Sequence, residues 1–399
     1  MGLMLMRNAV RRDARTPALR ERERADHDHL RSYVASPPDT WLFVVVASLV
    51  AIGMVMIFSA SNAMAFTEHQ DAAYYLKRQL IWLIVGGVAA YGAFRIDYLA
   101  LRKFAPYLML FALLGLIAVL VPHVGIVVNG ARRWLGVGPL SIQPSEFAKL
   151  ALVIYLAAVL AARGERVTSL VRGLFAPGLV IAITCMLVVK EPDMGTASLL
   201  AFTSIAMLFL SGARISHLVM MVGSTLPVVS GIILLNPYQR ARIFAFIDPW
   251  KDPQNHGFHI IQSLYALGSG GMWGMGLGAS RAKFFYLPEQ YTDFIFSVLG
   301  EELGLFGTLV VVMLFLVLAY RATKIALSAP DRFGFLLASG CAAFIVIQAF
   351  VNIGVVTSSW PVTGVPLPFI SFGGSSLVVN LVAVALIANV GRYRRVGAG

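Results

Sequence analysis

The feature that most constrains this chain is the regular return of long apolar runs. A run of about 20 residues is long enough to cross the hydrocarbon core of a bilayer as an α-helix. Apolar residues make up 58% of the sequence and charged residues 13%, far from the roughly one half and one quarter of soluble domains. We therefore predict an all-α, polytopic membrane protein with ten transmembrane helices. The ten runs lie near residues 41–61, 79–95, 105–122, 146–162, 173–189, 196–212, 215–235, 294–320, 333–356 and 375–391.

The basic residues predict that both termini lie in the cytoplasm, because lysine and arginine resist translocation in short loops. With the N-terminus inside, the inner segments are rich in basic residues and the short outer loops hold few. Besides the tail arginines, the inner set is Arg95, Arg102, Lys103, Arg163, Arg166, Arg172, Arg214, Arg321, Lys324, Arg332, Arg392, Arg394 and Arg395. The outer set is Lys77, Arg78, Arg132, Arg133 and Lys190.

This orientation divides the chain into one membrane body, two tails and one long loop. Residues 1–40 form a cytoplasmic tail, predicted to be flexible, with a short surface helix as the alternative. The tail lacks the pattern of a cleavable signal peptide. Residues 41–391 form the ten-helix domain, and residues 392–399 form a cytoplasmic tail. Residues 236–292, between spans 7 and 8, form an extracytoplasmic loop whose aromatic residues and glycines favour an ordered structure.

The net charge of +12 does not indicate a nucleic-acid partner, because the basic residues are distributed between apolar runs instead of forming one patch. Cys185 and Cys341 both fall inside apolar runs. They are interpreted as small buried hydrophobic residues, not as a disulfide.

Polar residues are concentrated in three segments on the predicted outer face, residues 123–149, 190–195 and 236–293. Any chemistry is therefore expected outside the cytoplasm. Glu146 and Lys149 share a helical face and form either a structural ion pair or a wall of the site. The "KEPDMGTA" segment, with Glu191 and Asp193, joins two spans and has a solvated hairpin tip as its plainer interpretation.

Two segments without charge leave alternatives open. The glycine-rich "GSGGMWGMGLG" at 268–278 suits either a phosphate cradle or an irregular turn at the membrane surface. The segment "PVTGVPLPFISFGGSS" at 361–376 suits either a re-entrant segment that shapes an outer cavity or a tight apolar loop.

The acids of "PEQYTDFIFSVLGEELG", residues 288–304, differ in depth. Glu289 belongs to the loop, whereas Glu301 and Glu302 lie within the span and need structural partners. Asp293 is placed at the membrane edge, where a helix predicted to start near residue 292 or 293 stabilises an anion. It is either a helix cap or a catalytic group.

Four motifs in this order resemble the SEDS family (shape, elongation, division and sporulation), whose members include FtsW and RodA. They are "PSEFAKL", "EPDMGTA", "GMGLGASRAKFFYLPEQYTDFIFSVLGEELG" and "PLPFISFGGSS", and the resemblance covers nearly the whole chain after residue 40. The resemblance departs at Ala279, Ala282, Ser359, Trp360 and Phe372. It implies a peptidoglycan glycosyltransferase that polymerises lipid II at the outer face of the cytoplasmic (inner) membrane. It also implies a class B penicillin-binding protein, a transpeptidase, as partner, and divisome regulators as further partners.

The same resemblance implies that Asp293, in the "TDFIF" motif, is the catalytic residue. Joining a sugar hydroxyl to an anomeric carbon with inversion needs one base and positive charge on the departing polyprenyl pyrophosphate. Candidates for that charge are Arg132, Arg133, Arg240, Arg242, Arg281 and Lys283, although some are expected only to anchor the loop to anionic lipid. By resemblance Glu146, Lys149, Asp193 and Ser375 are also expected at the substrate site. The resemblance suggests a divalent cation, Mg or Mn, for which the sequence shows no ligand cluster.

The polar N-terminal extension favours an FtsW-like role in septal synthesis during cell division over a RodA-type role in elongation. Two other functions stay open. One is a flippase for lipid II, which would place its polar groups near the midplane, and the other is a scaffold for division proteins.

Overall fold

The structure, a computed structural model, describes residues 33–35, 37–128, 131–137, 140–255, 257–283 and 287–395. Within these ranges the chain forms twelve α-helices and five short strands. The helices are α1 Thr40–His69, α2 Tyr74–Arg95, α3 Tyr98–Leu120, α4 Pro144–Arg163, α5 Phe175–Lys190, α6 Met194–Leu210, α7 Ile215–Leu235, α8 Pro237–Ile247, α9 Phe258–Gly270, α10 Ile295–Leu327, α11 Arg332–Val356 and α12 Gly374–Gly391. The strands are β1 Tyr33–Ala35, β2 Ile126–Val128, β3 Ala131–Val137, β4 Leu140–Ile142 and β5 Tyr393–Arg395.

A helix stands at each of the ten predicted runs, which are α1 to α7 and α10 to α12. Eight of these ten helices, some extended by an adjoining turn, are long and apolar enough to cross a membrane. The other two are α6, with 17 residues, and α2, which carries Lys77, Arg78 and Arg95. The structure is therefore that of a mostly helical, multi-pass membrane protein.

Aspartates immediately before several helices set where those helices begin. Asp39 accepts a hydrogen bond from the Leu42 amide at 3.1 Å, and Asp97 accepts one from the Leu99 amide at 3.0 Å. Asp331 accepts two, from the amides at the start of α11. A side-chain acceptor at this position satisfies amides that have no partner within the helix. The polar residues between apolar runs thus define the helix ends.

The segment between α3 and α4 corrects the prediction of a purely helical chain. Strands β2, β3 and β4 form a small antiparallel sheet there, with Ile126 opposite Trp134 and Leu135 opposite Ile142. Such short strands depend on cross-strand pairing instead of a helical period, so a search for apolar helices does not detect them.

A second pair of strands joins the two ends of the described chain. β1 pairs antiparallel with β5, with Val34 opposite Arg394. Most of the predicted N-terminal tail, residues 1–32 and 36, and the last residues, 396–399, lie outside the described residues, so the prediction of flexibility is not tested.

Helices α4, α11 and α12 form the centre of the bundle, where most of their residues are buried. α11 packs against α4, α6, α10 and α12, and α12 packs along α2. α7 is almost entirely exposed within the chain, as expected for a helix whose neighbour is lipid. Cys185 and Cys341 carry free thiols, as predicted.

The described residues of the long loop contain α8 and α9. Its glycine-rich part packs against a break in α10 at Gly304, whose φ of +67° interrupts the helix. The amides of Met275 and Gly276 each donate to a carbonyl of Glu301 or Glu302 at 3.0 Å, and the Leu305 amide donates to the Gly271 carbonyl at 2.9 Å. The Met275 and Gly276 amides thus pair with the broken helix, which favours the interpretation of this segment as an irregular turn over a phosphate cradle.

The acids of α10 have the structural partners that their depth predicted. The Glu301 carboxylate accepts hydrogen bonds from the amides of Arg281 and Ala282 at 3.0 and 3.2 Å. The Glu302 carboxylate accepts bonds from the Ser59 hydroxyl at 2.6 and 2.8 Å. Together these two side chains hold the segment around residues 280–283 against α10 and α1.

Candidate functional site

Asp293 lies in a turn just before α10. The helix begins at Ile295, and Phe294 occupies the capping position without a side-chain hydrogen bond. The alternative that Asp293 is only a helix cap is therefore wrong. Its side chain is partly exposed, and within the described part of the chain no hydrogen bond reaches its carboxylate. We call the end of the bundle that contains this turn the Asp293 end.

The surroundings of Asp293 make it a stronger base than an ordinary aspartate. Burial raises the pKa of its carboxyl to about 7, and the negative charges of Glu289 and Asp193 act in the same direction. The positive charges of Arg242 and Arg133 lower that pKa. A carboxyl that titrates near neutral pH is suited to accept a proton from a hydroxyl group.

The three polar segments predicted to converge do meet at this end. Arg133, on β3, donates through Nε to the Glu191 carbonyl at 3.0 Å and through Nη2 to the Pro192 carbonyl. Arg242, on α8, donates to the Val362 carbonyl at 3.4 Å. Both arginines are close enough to influence the pKa of Asp293.

The hairpin between α5 and α6 is not the solvated tip that its charges suggested. Asp193 is buried, caps α6 through the Thr196 amide at 3.0 Å, and also accepts a bond from Gln143 at 3.3 Å. Glu191 is 0% exposed, and neither of its carboxyl oxygens has a hydrogen-bond partner among the described residues. Burial and the nearby Asp193 raise the Glu191 pKa to about 8, against the effect of Arg133. Its environment therefore favours the protonated, neutral form of Glu191.

Glu146 and Lys149 form the ion pair that their spacing predicted. Glu146 Oε2 lies 2.8 Å from Lys149 Nζ, with both side chains almost fully buried. Lys149 also donates to Gln348 Oε1 at 2.8 Å, and Gln348 donates to the Pro366 carbonyl at 2.8 Å. The pair thus connects α4 with α11 and with the segment that follows α11. A direct role for this pair in a substrate cavity stays a prediction.

The candidate cations of the long loop differ in what they can reach. Arg240 and Arg281 are exposed, whereas Arg242 is half-buried and lies over the Tyr238 ring, 4.7 Å from its centroid. Lys283 is 2% exposed, lies 3.6 Å from Glu302 Oε1 and donates to the Gly278 carbonyl. This geometry gives Lys283 a role in anchoring the loop and does not support its predicted contact with pyrophosphate.

Two further candidates lie on β3 and at the start of α12. Arg132 is half-buried and pairs with Val127 beside an irregularity in the β2–β3 register, and no hydrogen bond joins its side chain to the carbonyls that Arg133 binds among the described residues. Ser375 is 2% exposed and accepts a hydrogen bond from the Gln143 amide at 3.1 Å. Ser375 thus fastens the start of α12 to the segment before α4.

His259, on α9, is a site residue that the sequence did not reveal. Its ring stacks on the Phe294 ring at 5.8 Å between centroids and 17° between planes. Burial and Arg242 lower the His259 pKa, while Glu289 acts in the opposite direction. A single histidine in a loop gives no sequence signal, and only the packing of α9 places it on Phe294, the residue that follows Asp293.

The segment between α11 and α12 has no regular secondary structure over residues 361–367 and packs against this turn. Val365, Leu367, Phe369 and Ile370 are buried, and Gly364 lies against the Asp293 carboxylate. The segment thus forms one wall of the site. Its backbone is irregular, and other parts of the protein cover it.

The protein is a multi-pass helical bundle, and one end of it carries arginines and a carboxylate that can accept a proton. These features define a class of membrane enzyme that acts on a polar group carried by lipid. The chain belongs to the family of cell cycle proteins that comprises FtsW, RodA and SpoVE, whose family profile matches residues 39–396.

The chain is similar over nearly its whole length to several known proteins. It is 46% identical over 359 residues to stage V sporulation protein E of Bacillus subtilis, covering 90% of this chain and 98% of that protein. It is 44% identical over 355 residues to a probable peptidoglycan glycosyltransferase FtsW of Trichlorobacter lovleyi, covering 88% and 92% of the two chains.

Solved structures show the same fold. A chain from a study of polymerization and crosslinking by a peptidoglycan synthase complex matches with a TM-score of 0.74 at 32% identity, covering 90% of this chain and 98% of that one. The rod shape determining protein RodA of Thermus thermophilus matches with a TM-score of 0.66 at 30% identity, covering 90% and 97% of the two chains.

Proposed function

We propose that this protein is a peptidoglycan glycosyltransferase that polymerises lipid II, with Asp293 as its base. The observation that carries the assignment of Asp293 is a carboxyl with a pKa raised to about 7 at the meeting point of three polar segments. Family membership and relatives named as probable peptidoglycan glycosyltransferases support the reaction class.

The reaction needs one proton acceptor. The Asp293 carboxylate takes the proton from the 4-hydroxyl of one lipid-linked disaccharide as that oxygen forms a bond to the anomeric carbon of another. The bond from that carbon to the polyprenyl pyrophosphate breaks, so the anomeric configuration inverts. A base with a pKa near the working pH is ionised in a large fraction of molecules and still has a strong affinity for the proton.

Arg242 is the best-placed cation for the departing pyrophosphate. Its positive charge lowers the pKa of Asp293, and one of its N–H groups donates a long hydrogen bond to a backbone carbonyl. Arg133 uses donors on the carbonyls of Glu191 and Pro192, which suits a role in shaping the site. Arg240 and Arg281, exposed on the same loop, suit an earlier encounter with phosphate or lipid headgroups.

A divalent cation remains part of the proposal only as a companion of the pyrophosphate. Within the described ranges there is no group of three or more histidine, cysteine, aspartate or glutamate side chains that could hold a metal ion. The potential metal ligands of the described chain therefore do not fit a resident metal site. No step of the reaction is assigned to a metal.

We place the Asp293 end outside the cytoplasm, at the outer face of the cytoplasmic membrane, with ten spans and both termini inside. The distribution of lysine and arginine supports this orientation. The small sheet, the α5–α6 hairpin and the long loop would then all lie on the side where lipid II is polymerised.

We assign the protein to septal synthesis in cell division. Relatives named FtsW reach 44% identity, whereas the solved RodA structure is 30% identical. The sporulation protein at 46% identity makes spore formation the nearest alternative. A class B penicillin-binding protein is the proposed partner, since a matching chain comes from a peptidoglycan synthase complex. Division regulators stay a prediction.

Polymerisation of purified lipid II by the protein in liposomes tests the proposal. Asp293→Asn keeps the shape of the side chain and is expected to lower the rate at least about 100-fold, as expected when a catalytic base is lost. Asp97→Asn, at the start of α3, is the matched control because asparagine also caps helices. Translocation of lipid II without polymer would favour a flippase, and full activity of Asp293→Asn would exclude Asp293 as the base.

A further inference from the structure

The turn that carries Asp293 is held by three successive hydrogen bonds. The Phe372 amide donates to the Tyr291 carbonyl at 2.9 Å, and the Ser371 hydroxyl donates to the Thr292 carbonyl at 2.6 Å. The Asn352 side-chain amide donates to the Asp293 carbonyl at 2.8 Å. Each carbonyl of residues 291–293 thus has its own donor from α11 or from the segment that follows it.

These bonds matter because the turn has little regular structure of its own. α10 begins only at Ile295, and within the turn the Thr292 and Phe294 amides donate to the Glu289 carbonyl at 3.2 Å, which leaves the carbonyls of residues 291–293 to donors from other elements. Glu289 adopts a φ of +53°, a left-handed conformation that is uncommon for a residue other than glycine. The direction of the Asp293 side chain therefore depends on what the turn is fastened to.

Asn352 fastens two parts of the site at once. The same Nδ2 group also donates to the Val365 carbonyl at 2.8 Å, next to Gly364, which lies against the Asp293 carboxylate. Asn352 is 1% exposed. An apolar side chain of similar volume at this position would leave two carbonyls without their donor, at a place where unpaired polar groups are costly.

Ser371 completes the same arrangement from the other side. Its hydroxyl accepts a bond from the Leu367 amide at 2.8 Å while it donates to the Thr292 carbonyl. The last residues of the segment 361–367 are therefore fixed to the Asp293 turn at two points, by Asn352 at Val365 and by Ser371 at Leu367.

We propose that Asn352 is a positioning residue for the polymerisation reaction, and that with Ser371 it fixes the direction in which the Asp293 carboxylate faces. This inference rests on the proposed function of Asp293. Neither residue touches the reacting atoms in this scheme. Their contribution is the geometry of the base, where an error of about 1 Å can cost on the order of 100-fold in rate.

Asn352→Leu tests the proposal because it removes the donors and keeps the volume. We expect kcat for lipid II polymerisation to fall about 10- to 100-fold, with KM changed by less than about threefold, because uniform substrate binding is not affected. The acid limb of the pH profile is expected to move to lower pH, because a loosened turn exposes Asp293 to water. The other charged groups that act on Asp293, namely Glu289, Asp193, Arg242 and Arg133, remain in place.

Asn389→Leu is the matched control. Asn389 is also 1% exposed, and its side-chain amide donates to carbonyls of Ala93 and Phe94 at 2.9 Å. These carbonyls lie at the opposite end of the bundle. This variant is expected to lose thermal stability to a similar degree while its kcat and pH profile stay close to those of the wild type.

Ser371→Ala keeps the test decisive if Asn352→Leu does not fold. It removes one small hydroxyl and is expected to lower kcat several-fold with the same shift of the pH profile. If the Asn352 and Ser371 variants match Asn389→Leu in kcat and pH profile, the positioning role is excluded. Wild type and Asp293→Asn are measured alongside, because an active Asp293→Asn would overturn the base itself, not its positioning.

Discussion

The Asp293 carboxylate lies against the backbone of Gly364, with Oδ2 at 3.4 Å from the position that a Cβ atom would occupy there. Gly364 has a φ of +73°, where any residue with a side chain is strained by roughly 1–2 kcal/mol. If the backbone at residue 364 moved to relieve that strain, it would push against the Asp293 carboxylate. The positive φ therefore explains a glycine at residue 364, whereas the 3.4 Å distance to Asp293 would by itself tolerate a Cβ atom.

Gly364→Ala is expected to reduce polymerisation about tenfold and to lower the melting temperature, because the strained segment moves relative to Asp293. Rate and thermal unfolding in detergent check this. Gly87→Ala, in α2, is the control, since nothing lies within 4 Å of an added Cβ there and alanine favours helix. Equal loss of activity in both variants would contradict the argument.

The pH dependence of polymerisation should report Asp293. The reaction needs the deprotonated carboxylate, and its pKa is raised to about 7, so activity is present above that pH and is lost as the pH falls through it. Arg242→Gln removes a positive charge that lowers this pKa, and the acid limb should move to higher pH. Initial rates between pH 5 and pH 9 measure both effects. A rate that stays constant down to pH 5, as expected for a carboxyl with the ordinary aspartate pKa of 3.8, would refute the assignment.

Glu191 should make the protein less stable as the pH rises from about 4.5 to about 8. Its pKa is raised to about 8 from an ordinary 4.5, so the folded state binds the proton more tightly than the unfolded state. Stability is therefore fully present below about pH 4.5 and is lost as the pH rises towards 8. Glu191→Gln, which cannot ionise, should gain about 4 kcal/mol over the wild type at pH 8 and show almost no gain at pH 4.5. Thermal melts at the two pH values measure this, and an equal difference at both would show that the carboxyl does not titrate as described.

The sequence predicted the parts of the fold that depend on local pattern. The positions of ten helices follow from the apolar runs. The meeting of the three polar segments follows from the alternation of inner and outer connections along the chain. The short strands from Ile126 to Ile142, which depend on pairing between segments, could not be predicted in this way. Nor could the burial of Glu191, because a charged residue in a hairpin normally stays in water.

The residues that build the site behind Asp293 were hidden for a related reason. Asn352 and Gln348 are single polar residues inside an apolar helix. Nothing in the local pattern distinguishes a buried amide with two hydrogen-bond partners from a polar residue without a structural role. Their roles appear only when residues more than ten positions apart in the sequence, such as Val365 and Asp293, are seen around the same side chain.

Lys283 and Glu302 provide the last test, which separates a structural cation from one that binds substrate. Lys283→Met leaves Glu302 buried without its partner, and loss of one member of a buried pair costs about 3–5 kcal/mol. The double variant Lys283→Met/Glu302→Gln removes both charges and keeps the acceptor for the Ser59 hydroxyl. If Lys283 only anchors the loop, the double variant should regain both stability and most of the polymerisation activity.

Lys77→Met is the matched control for this pair. Lys77 Nζ lies 2.7 Å from Asp71 Oδ2, but the lysine side chain is 65% exposed, and exposed pairs contribute about 0–1 kcal/mol. We expect little change in either measurement for this variant. A double variant that is stable yet inactive would instead assign Lys283 to the pyrophosphate, because the loop would then be intact and only the charge would be missing.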